Sequence, residues 1–336
     1  MSRYRKRLPQ LGNSLFLTDG GLEHALTFDD GVEVPGFITF DLLRHGPGRA
    51  LLRRYFADYA EIACVHGVGA VLESPTVRAN TDWGANLGYD ARALAQANRK
   101  AIGLLLEIRE AFESDGTQIV ISGNVGPRAN TYHQSSRMAA YQAAQYHAPQ
   151  VRTLSQTAAD MISASGMTYA DEAVGIALVA AAYAMPVAIS FRLRGDGRLP
   201  SGETLAEAIG RVDCEAPHTR AYYMIECAEP AQFAAVIGSG RGWPERIRGL
   251  RLVARSRSDI ADATRLGMQF RTLRAERPHL ALVGTSPDGV EAMCRAMSEQ
   301  PMPDVELLSR LAGQMPERAS AESIHTSLFA TDDVVV

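Results

Sequence analysis

Short apolar runs rich in β-branched residues recur along the chain, each followed by a loop and then by helical spacing of apolar residues. Eight such runs predict strands, at Ser14–Thr18, Gly69–Glu73, Gln118–Ser122, Asp160–Ala164, Val187–Phe191, Ala221–Glu226, Leu250–Ala254 and His279–Val283. Alternating strands and helices indicate a parallel sheet. We therefore predict the α/β class and a single (β/α)8 TIM barrel, in which the loops after the strands line the functional mouth.

The domain boundaries follow from where this pattern begins and ends. Residues 1–12 are expected to form an N-terminal extension, residues 13–297 the barrel and residues 298–336 a C-terminal tail. The tail mixes Pro301, Pro303 and Pro316 with polar residues and ends in three valines. This composition predicts a partly mobile segment.

Composition and charge narrow the functional classes. The 336 residues are 46% hydrophobic and 21% charged, as in a globular protein with a large core. The net charge of -4 gives no basic surface for nucleic acid or for an anionic membrane, so a small molecule is the expected partner. Four scattered cysteines without a CxxC pair favour reduced thiols and a cytoplasmic location, and we expect no membrane insertion.

Acidic residues follow the first predicted strand. Asp19 and Glu23 lie around paired glycines that allow a tight turn, so their carboxylates either contact a ligand or cap that turn. His24 is a candidate base or metal ligand, although a lone histidine is more often simply hydrogen-bonded.

The second and third strands also end in polar residues. Glu73 is costly to bury without a cationic partner, for which Arg78 and Arg128 are the candidates. Asn124, Arg128 and Tyr132 follow the third strand, where glycine and proline shape a loop able to present N–H groups and a guanidinium to an anion. A structural loop with a surface salt bridge explains the same residues equally well.

The fifth and sixth strands add two arginines and a cysteine. Arg192 and Arg194 begin a long polar loop, where they either bind a carboxylate or phosphate or pair with solvent and Asp196. Cys227 ends the sixth strand and is either a metal ligand, a nucleophile or a buried inert thiol.

Six segments, in chain order, carry a family likeness. They are Thr18-Asp19-Gly20-Gly21-Leu22-Glu23, Leu72-Glu73-Ser74-Pro75-Thr76, Gly126-Pro127-Arg128, Met167-Thr168-Tyr169-Ala170 with Glu172-Ala173, Ile189-Ser190-Phe191 and Asp196-Gly197-Arg198-Leu199-Pro200-Ser201-Gly202. From about Phe16 to Met293 the chain resembles a bacterial branch of the homocysteine S-methyltransferase family. The resemblance implies a (β/α)8 barrel that transfers a methyl group to the thiol of homocysteine.

Members of that family bind zinc through three cysteines, one in an Asn-Cys pair after the sixth strand and two in a Gly-Gly-Cys-Cys-Gly segment after the eighth. The metal lowers the pKa of the homocysteine thiol and presents a thiolate to the methyl donor. Here Cys227 stands at the first ligand position, preceded by Glu226 instead of Asn, while Leu282 and Val283 replace the cysteine pair. One cysteine cannot make a three-ligand site, so we expect no zinc and no other cofactor.

Other departures from the family pattern cluster at the mouth. Ser165-Gly166 replaces an acidic or Ile residue followed by Thr, Arg192-Leu193-Arg194-Gly195 replaces Thr-Val-Glu-Thr, and Ala129-Asn130-Thr131-Tyr132 replaces Gly-Asp-Gly-Tyr. His24 replaces a usual Thr. Scaffold segments are kept while ligand-facing segments differ, which favours a changed ligand over drift spread along the chain.

Three hypotheses remain open. The first is a repurposed, zinc-independent enzyme that binds or transforms a different small anionic substrate by methyl or related group transfer, with its site formed by Asp19, Glu23, His24, Glu73, Asn124, Arg128, Tyr132, Arg192 and Cys227. The second is a catalytically retired barrel that acts as a binding or partner subunit, as a homo-oligomer or with an active relative. The third is a relocated metal site made from Cys227, His24 and either Glu73 or Glu226.

Overall fold

Eight parallel strands close into a barrel in the computed structural model, in chain order and with the first strand paired to the eighth. The strands are β1 (Phe16–Asp19), β2 (Gly69–Glu73), β3 (Ile119–Val125), β4 (Met161–Met167), β5 (Val187–Arg192), β6 (Ala221–Cys227), β7 (Ile247–Leu252) and β8 (Leu282–Thr285). The structure describes residues 1–20, 22–29, 32, 34, 36, 38–128, 137–219, 221–227, 233, 236, 243–253 and 260–298. The predicted (β/α)8 barrel is confirmed.

Helices surround the strands. Those described are α1 (Leu22–His24), α2 (Gly46–His66), α3 (Thr81–Ala85), α4 (Ala91–Phe112), α5 (Ala140–Ser155), α6 (Ala170–Ala182), α7 (Leu205–Glu215), α8 (Ile260–Glu276) and α9 (Pro287–Met297), with a π-helical turn at Ala25–Asp29 and 3₁₀ turns at Pro9–Leu11, Thr39–Arg44 and Trp243–Arg246. Side-chain caps fix where two of these helices begin. At α4, Asp90 accepts a hydrogen bond from the N–H of Ala93, and at α7, Thr204 and Glu207 form a capping box. None of these helices combines the length and the apolar character that crossing a bilayer requires.

Four strands differ from their predicted bounds by three residues at one end: β3 and β4 end later, β7 begins earlier and β8 begins later. Strand β7 begins at Ile247 rather than Leu250, and Arg248 interrupts the apolar pattern from which its beginning was predicted. Strand β3 continues to Val125, beyond the predicted end at Ser122, because its polar residues also lie inside the barrel. Strand bounds predicted from apolar runs are therefore displaced where polar and charged residues lie within buried strands.

An apolar layer fills the amino-terminal half of the barrel. It is made of Leu8, Phe16, Val71, Val120, Met161, Ala188, Tyr222, Met224, Ala281 and Leu282. Leu8 and the fully buried Gln10 come from residues 1–12, which seal this end of the barrel. Buried Asp160 holds the segment, since it accepts the N–H groups of Arg3 and Tyr4 at 2.7 and 2.8 Å and the guanidinium of Arg109 at 2.8 Å.

Candidate functional site

Above the apolar layer, the interior of the barrel becomes charged. Successive side chains of a strand face opposite sides, so residues two apart share a face. Glu73 and Glu226 each follow an interior apolar residue, Val71 and Met224, by two positions, and Glu226 pairs in register with Arg251 on β7. These three charged side chains are therefore directed into the mouth of the barrel.

The guanidinium of Arg251 lies at the centre of this charged layer. It donates to Glu73 Oε1 at 2.7 Å and to Glu226 Oε1 at 3.2 Å, with further contacts to Ser165 Oγ at 3.2 Å and Thr18 Oγ1 at 3.5 Å. Only 6% of the side chain is exposed. Burial alone would lower the pKa of Arg251, but the nearby carboxylates, Glu73 foremost, raise it by more. Arg251 is a permanent internal cation.

The carboxylate of Glu73 is held from three sides. Its Oε1 accepts from Arg251, and its Oε2 accepts from Asn124 Nδ2 and from Ser165 Oγ, both at 3.2 Å. Glu73 is 2% exposed. The cationic partner that the sequence analysis required is thus Arg251 on β7, and neither of the two candidates, Arg78 and Arg128, fills that role.

The carboxylate of Glu226 joins two cations. Besides Arg251, it accepts the N–H of Gly166 at 3.0 Å and contacts Arg192 Nη2 at 3.4 Å. Gly166 has a φ of 71° and lies where the register between β4 and β5 shifts. A β-bulge of this kind re-aims backbone groups, and the left-handed conformation favours glycine. The Ser165-Gly166 departure from the family pattern therefore supports the buried ion network.

Two further carboxyl groups line the mouth beside this network. Burial raises the pKa of Asp19 well above its usual range; the Glu73 carboxylate raises it further, while Arg251 opposes this effect. Burial also raises the pKa of Glu23 in α1, against the opposing effect of Arg78, Arg192 and Arg251. The surroundings of Asp19 therefore favour the neutral form of its carboxyl group.

Gly20 lets Arg251 reach the centre of the barrel. A Cβ atom at this position would lie 3.1 Å from Cγ of Arg251 and 2.7 Å from Cα of Thr285. The first glycine of the predicted tight turn thus serves close packing. Of the other predicted site residues nearby, the side chain of His24 and all of Tyr132 lie outside the described residues.

Arg128 and Arg194 lie apart from the interior network. Arg128 donates from Nε to Asp82 at 2.7 Å and stacks over the ring of Tyr146, with its side chain 39% exposed. Arg194 lies 3.8 Å from Asp196 in the exposed loop after β5. Both contacts match the alternative in which these arginines form surface ion pairs.

The three positions that the resemblance assigns to the family's zinc ligands lie in different layers. Leu282 belongs to the apolar layer inside the barrel, whereas Val283 and Cys227 pack in the hydrophobic cluster that includes the surrounding helices. Among the described residues, no group of three or more His, Cys, Asp or Glu side chains is placed to hold a metal ion. The residues present at these positions do not fit a site of three thiolates.

One network connects departures that look independent in the sequence. Glu226, Ser165-Gly166 and Arg192, which the sequence analysis identifies as departures from the family pattern, all contact Arg251 or its carboxylate partners. Sequence reasoning missed Arg251. The available signal was an arginine inside an otherwise apolar strand, a position that is tolerated only with a buried counter-charge.

Comparison with known families agrees with this architecture. Residues 16–256, more than half of the chain, match the model of the homocysteine S-methyltransferase family. The chain belongs to this family. The resemblance inferred from the sequence segments is therefore confirmed. Comparison with curated proteins gives no match.

Solved structures of the homocysteine methyltransferase MmuM from Escherichia coli share the fold of this family member. The oxidized form superposes with a TM-score of 0.71 at 18% identity, over 88% of this chain and 100% of that one. The metallated form gives a TM-score of 0.68 at 17% identity, over 86% and 98%. At this level of identity the likeness concerns the barrel.

Proposed function

We propose that this protein is a zinc-independent member of its family that binds a small carboxylate-bearing molecule at the barrel mouth and does not methylate the thiol of homocysteine. The observation that carries this proposal is the buried Arg251 guanidinium, which takes up the carboxylates of Glu73 and Glu226. A fixed cation between Glu73 and Glu226 opposes a divalent metal by repulsion and occupies these two carboxylates, which could otherwise serve as its ligands.

The two arginines that contact Glu226 differ in what they can do. Arg251 is 6% exposed and is held by several buried partners, whereas the side chain of Arg192 is 31% exposed and lies 3.4 Å from Glu226. If Arg192 turns toward a ligand, Glu226 keeps Arg251 and the N–H of Gly166. Arg192 is therefore the more exposed of the two cations and the one suited to a ligand carboxylate.

A hydrogen-bond acceptor completes the proposed site. Asn124 is 5% exposed, and its Oδ1 has no hydrogen-bond partner among the described residues. A buried acceptor without a donor costs free energy, so a ligand that brings an N–H or O–H group is favoured there. The proposed ligand combines a carboxylate for Arg192 with an amine or hydroxyl group for Asn124.

The loss of thiol methylation follows from the chemistry of an unassisted thiol. With a pKa of about 8.5, a thiol is only a few per cent thiolate at neutral pH. The residues at the family's ligand positions offer a single thiol and no second thiolate to hold a metal. We therefore expect methyl transfer from S-methylmethionine or S-adenosylmethionine to homocysteine to be absent or very weak.

Thermal unfolding with small amino and hydroxy carboxylates tests this proposal. Arg192→Met is compared with Arg194→Met, a matched control on the same loop whose arginine pairs with exposed Asp196. A ligand at about 100 times its Kd stabilises the folded state by about 2.7 kcal/mol. We expect this stabilisation in the wild type and in the control, and its loss in Arg192→Met.

Metal analysis and a methyl-transfer assay could contradict the proposal. Zinc bound at one ion per chain, together with homocysteine methylation that a chelator abolishes, would overturn the proposal. Carboxylate binding without turnover of any methyl donor would instead support the binding role and assign no catalysis to the mouth.

A further inference from the structure

A second cavity lies far from the mouth, at the amino-terminal end of the strands. It forms where α2, α8 and α9 meet the residues that lead into β1 and β2, and it encloses about 370 Å³. The lining residues are Leu15, His66, Val68, Arg271, Arg274, Ala275, Cys294, Met297 and Ser298. Its volume is within the range of small-molecule sites, and its walls combine cations with apolar side chains.

Arg274 brings an incompletely compensated positive charge to this cavity. The residue is partly buried, and burial lowers its pKa, with no carboxylate of the described residues opposing the effect. Its guanidinium donates to the carbonyl oxygen of Asn13, which is a neutral acceptor. Partial burial of a guanidinium is costly unless an anion accompanies it.

His66 and Arg271 lie on the same polar side of the cavity as Arg274. The Nε2 atom of His66 is buried and has no hydrogen-bond partner among the described residues. Burial lowers the pKa of His66, which favours the neutral ring, and one nitrogen of a neutral ring donates. Arg271 precedes Arg274 by three residues on α8, so both side chains lie on one helix face.

The acidic residue that acts on His66 pairs with an arginine outside the cavity. Glu291 on α9 interacts electrostatically with His66 and pairs with exposed Arg295 one helical turn along. The lining residues themselves contain no Asp or Glu. The cavity is therefore positive on one side and apolar on the other, where Leu15, Val68 and Met297 lie.

We propose that this cavity binds a small organic oxyanion, a phosphate or carboxylate head with an apolar body, with Arg274 as the main ligand of the head group. His66 Nε2 donates a second hydrogen bond, and Arg271 adds charge. This site is independent of the mouth, and a ligand here stabilises the end of the barrel where α8 and α9 pack on α2.

Calorimetric titration of the full-length protein with phenyl phosphate, benzoate and inorganic phosphate tests the site. We expect phenyl phosphate or benzoate to bind more tightly than inorganic phosphate, because the apolar wall contributes. Arg274→Met is expected to weaken binding at least tenfold. Arg265→Met is the matched control, since Arg265 is an exposed arginine on the same helix, paired with Asp262.

A second readout keeps the proposal testable if Arg274→Met folds poorly. Cys294 lines the cavity, and burial raises the pKa of its thiol to about 12. Bound phenyl phosphate is expected to slow modification of Cys294 by a thiol reagent in the wild type but not in His66→Phe. Unchanged affinity in Arg274→Met, or loss of binding in Arg192→Met at the mouth, would overturn the proposal.

Discussion

At its amino-terminal end, the barrel is filled by apolar side chains and sealed by residues 1–12, whereas at its carboxyl end the same strands carry arginines and carboxylates. The interior side chain of β2 changes from Val71 to Glu73, two residues further along the strand. On β6, it changes in the same way from Met224 to Glu226. The first end requires only apolar residues of suitable volume, which many sequences satisfy. The second requires particular partners, and Ser165, Gly166 and Arg192 provide contacts of that kind there.

The two ends also differ in how they respond to substitution. Apolar packing is lost roughly in proportion to the buried area that a mutation removes. A buried ion network behaves differently, because removing one member leaves its partners charged and desolvated. Single substitutions should therefore lower the stability of the protein more at the mouth than at the sealed end. Substitutions at the mouth that remove a cation together with its carboxylate partners should lower it less than the single ones do.

The largest expected effect is that of Arg251→Met. This substitution leaves Glu73 and Glu226 buried without their main cation, so we expect a loss of about 3–5 kcal/mol in the free energy of unfolding. Urea unfolding monitored by circular dichroism measures it. Adding Glu73→Gln and Glu226→Gln to Arg251→Met should recover most of the loss, since no buried charge then remains unpaired.

Failure of that recovery would separate two roles of Arg251. A triple variant as unstable as Arg251→Met would mean that Arg251 acts through packing of its aliphatic stem against Gly20 rather than through its charge. A single variant as stable as the wild type would contradict the picture of the mouth as a network of mutually dependent charges.

Asp160 provides the corresponding test at the sealed end. Asp160→Asn keeps the shape but replaces an accepting oxygen by an NH₂ group, which then faces donors from Arg109 and Ile121 or from residues 3 and 4. Hydrogen bonds to charged groups contribute about 1.5–3 kcal/mol each, so we expect destabilisation of about 2–3 kcal/mol. Limited trypsin digestion should show faster cleavage after Arg5 and Arg7, as residues 1–12 leave the barrel.

The same comparison explains how far the sequence could predict this molecule. The recurrence of apolar runs predicted the barrel because apolar residues in a strand indicate that the strand is buried. At Gly69–Glu73 the predicted and observed bounds of the strand agree. Glu73, Asn124 and Arg192, chosen because they end strands, do lie in one network. Position at a strand end was thus a sufficient signal for them.

The central residue of the site could not be found in this way. Arg251 lies within a strand rather than after it, and its role depends on Glu73, 178 residues earlier in the chain. Such a pairing needs the barrel closure that brings β7 and β2 to opposite sides of one interior. Likewise, Cys227 ends a strand as expected, but alternation places it in the outer cluster, next in sequence to the interior Glu226.

The smallest expected effect concerns Asp19, the buried carboxyl group beside the network. Burial raises the pKa of Asp19 in the folded protein above its value in the unfolded chain, so its contribution to stability is complete below the unfolded pKa of about 3.9 and is lost as pH rises through the folded pKa. Asp19→Asn stays neutral at every pH. Its stability relative to the wild type should therefore increase as pH rises from about 4.

Denaturant unfolding of Asp19→Asn at a series of pH values measures this effect. The matched control is Asp196→Asn, because Asp196 is an exposed carboxylate at the same end of the barrel. The control should follow the wild type at every pH, since Asp196 lies on the exposed loop after β5 and outside the buried ion network. A wild type that gains stability over Asp19→Asn with rising pH would instead mean that Asp19 is ionised in the folded protein. Arg251 would then be balanced by three carboxylates, and the mouth would carry a negative charge that repels the proposed ligand.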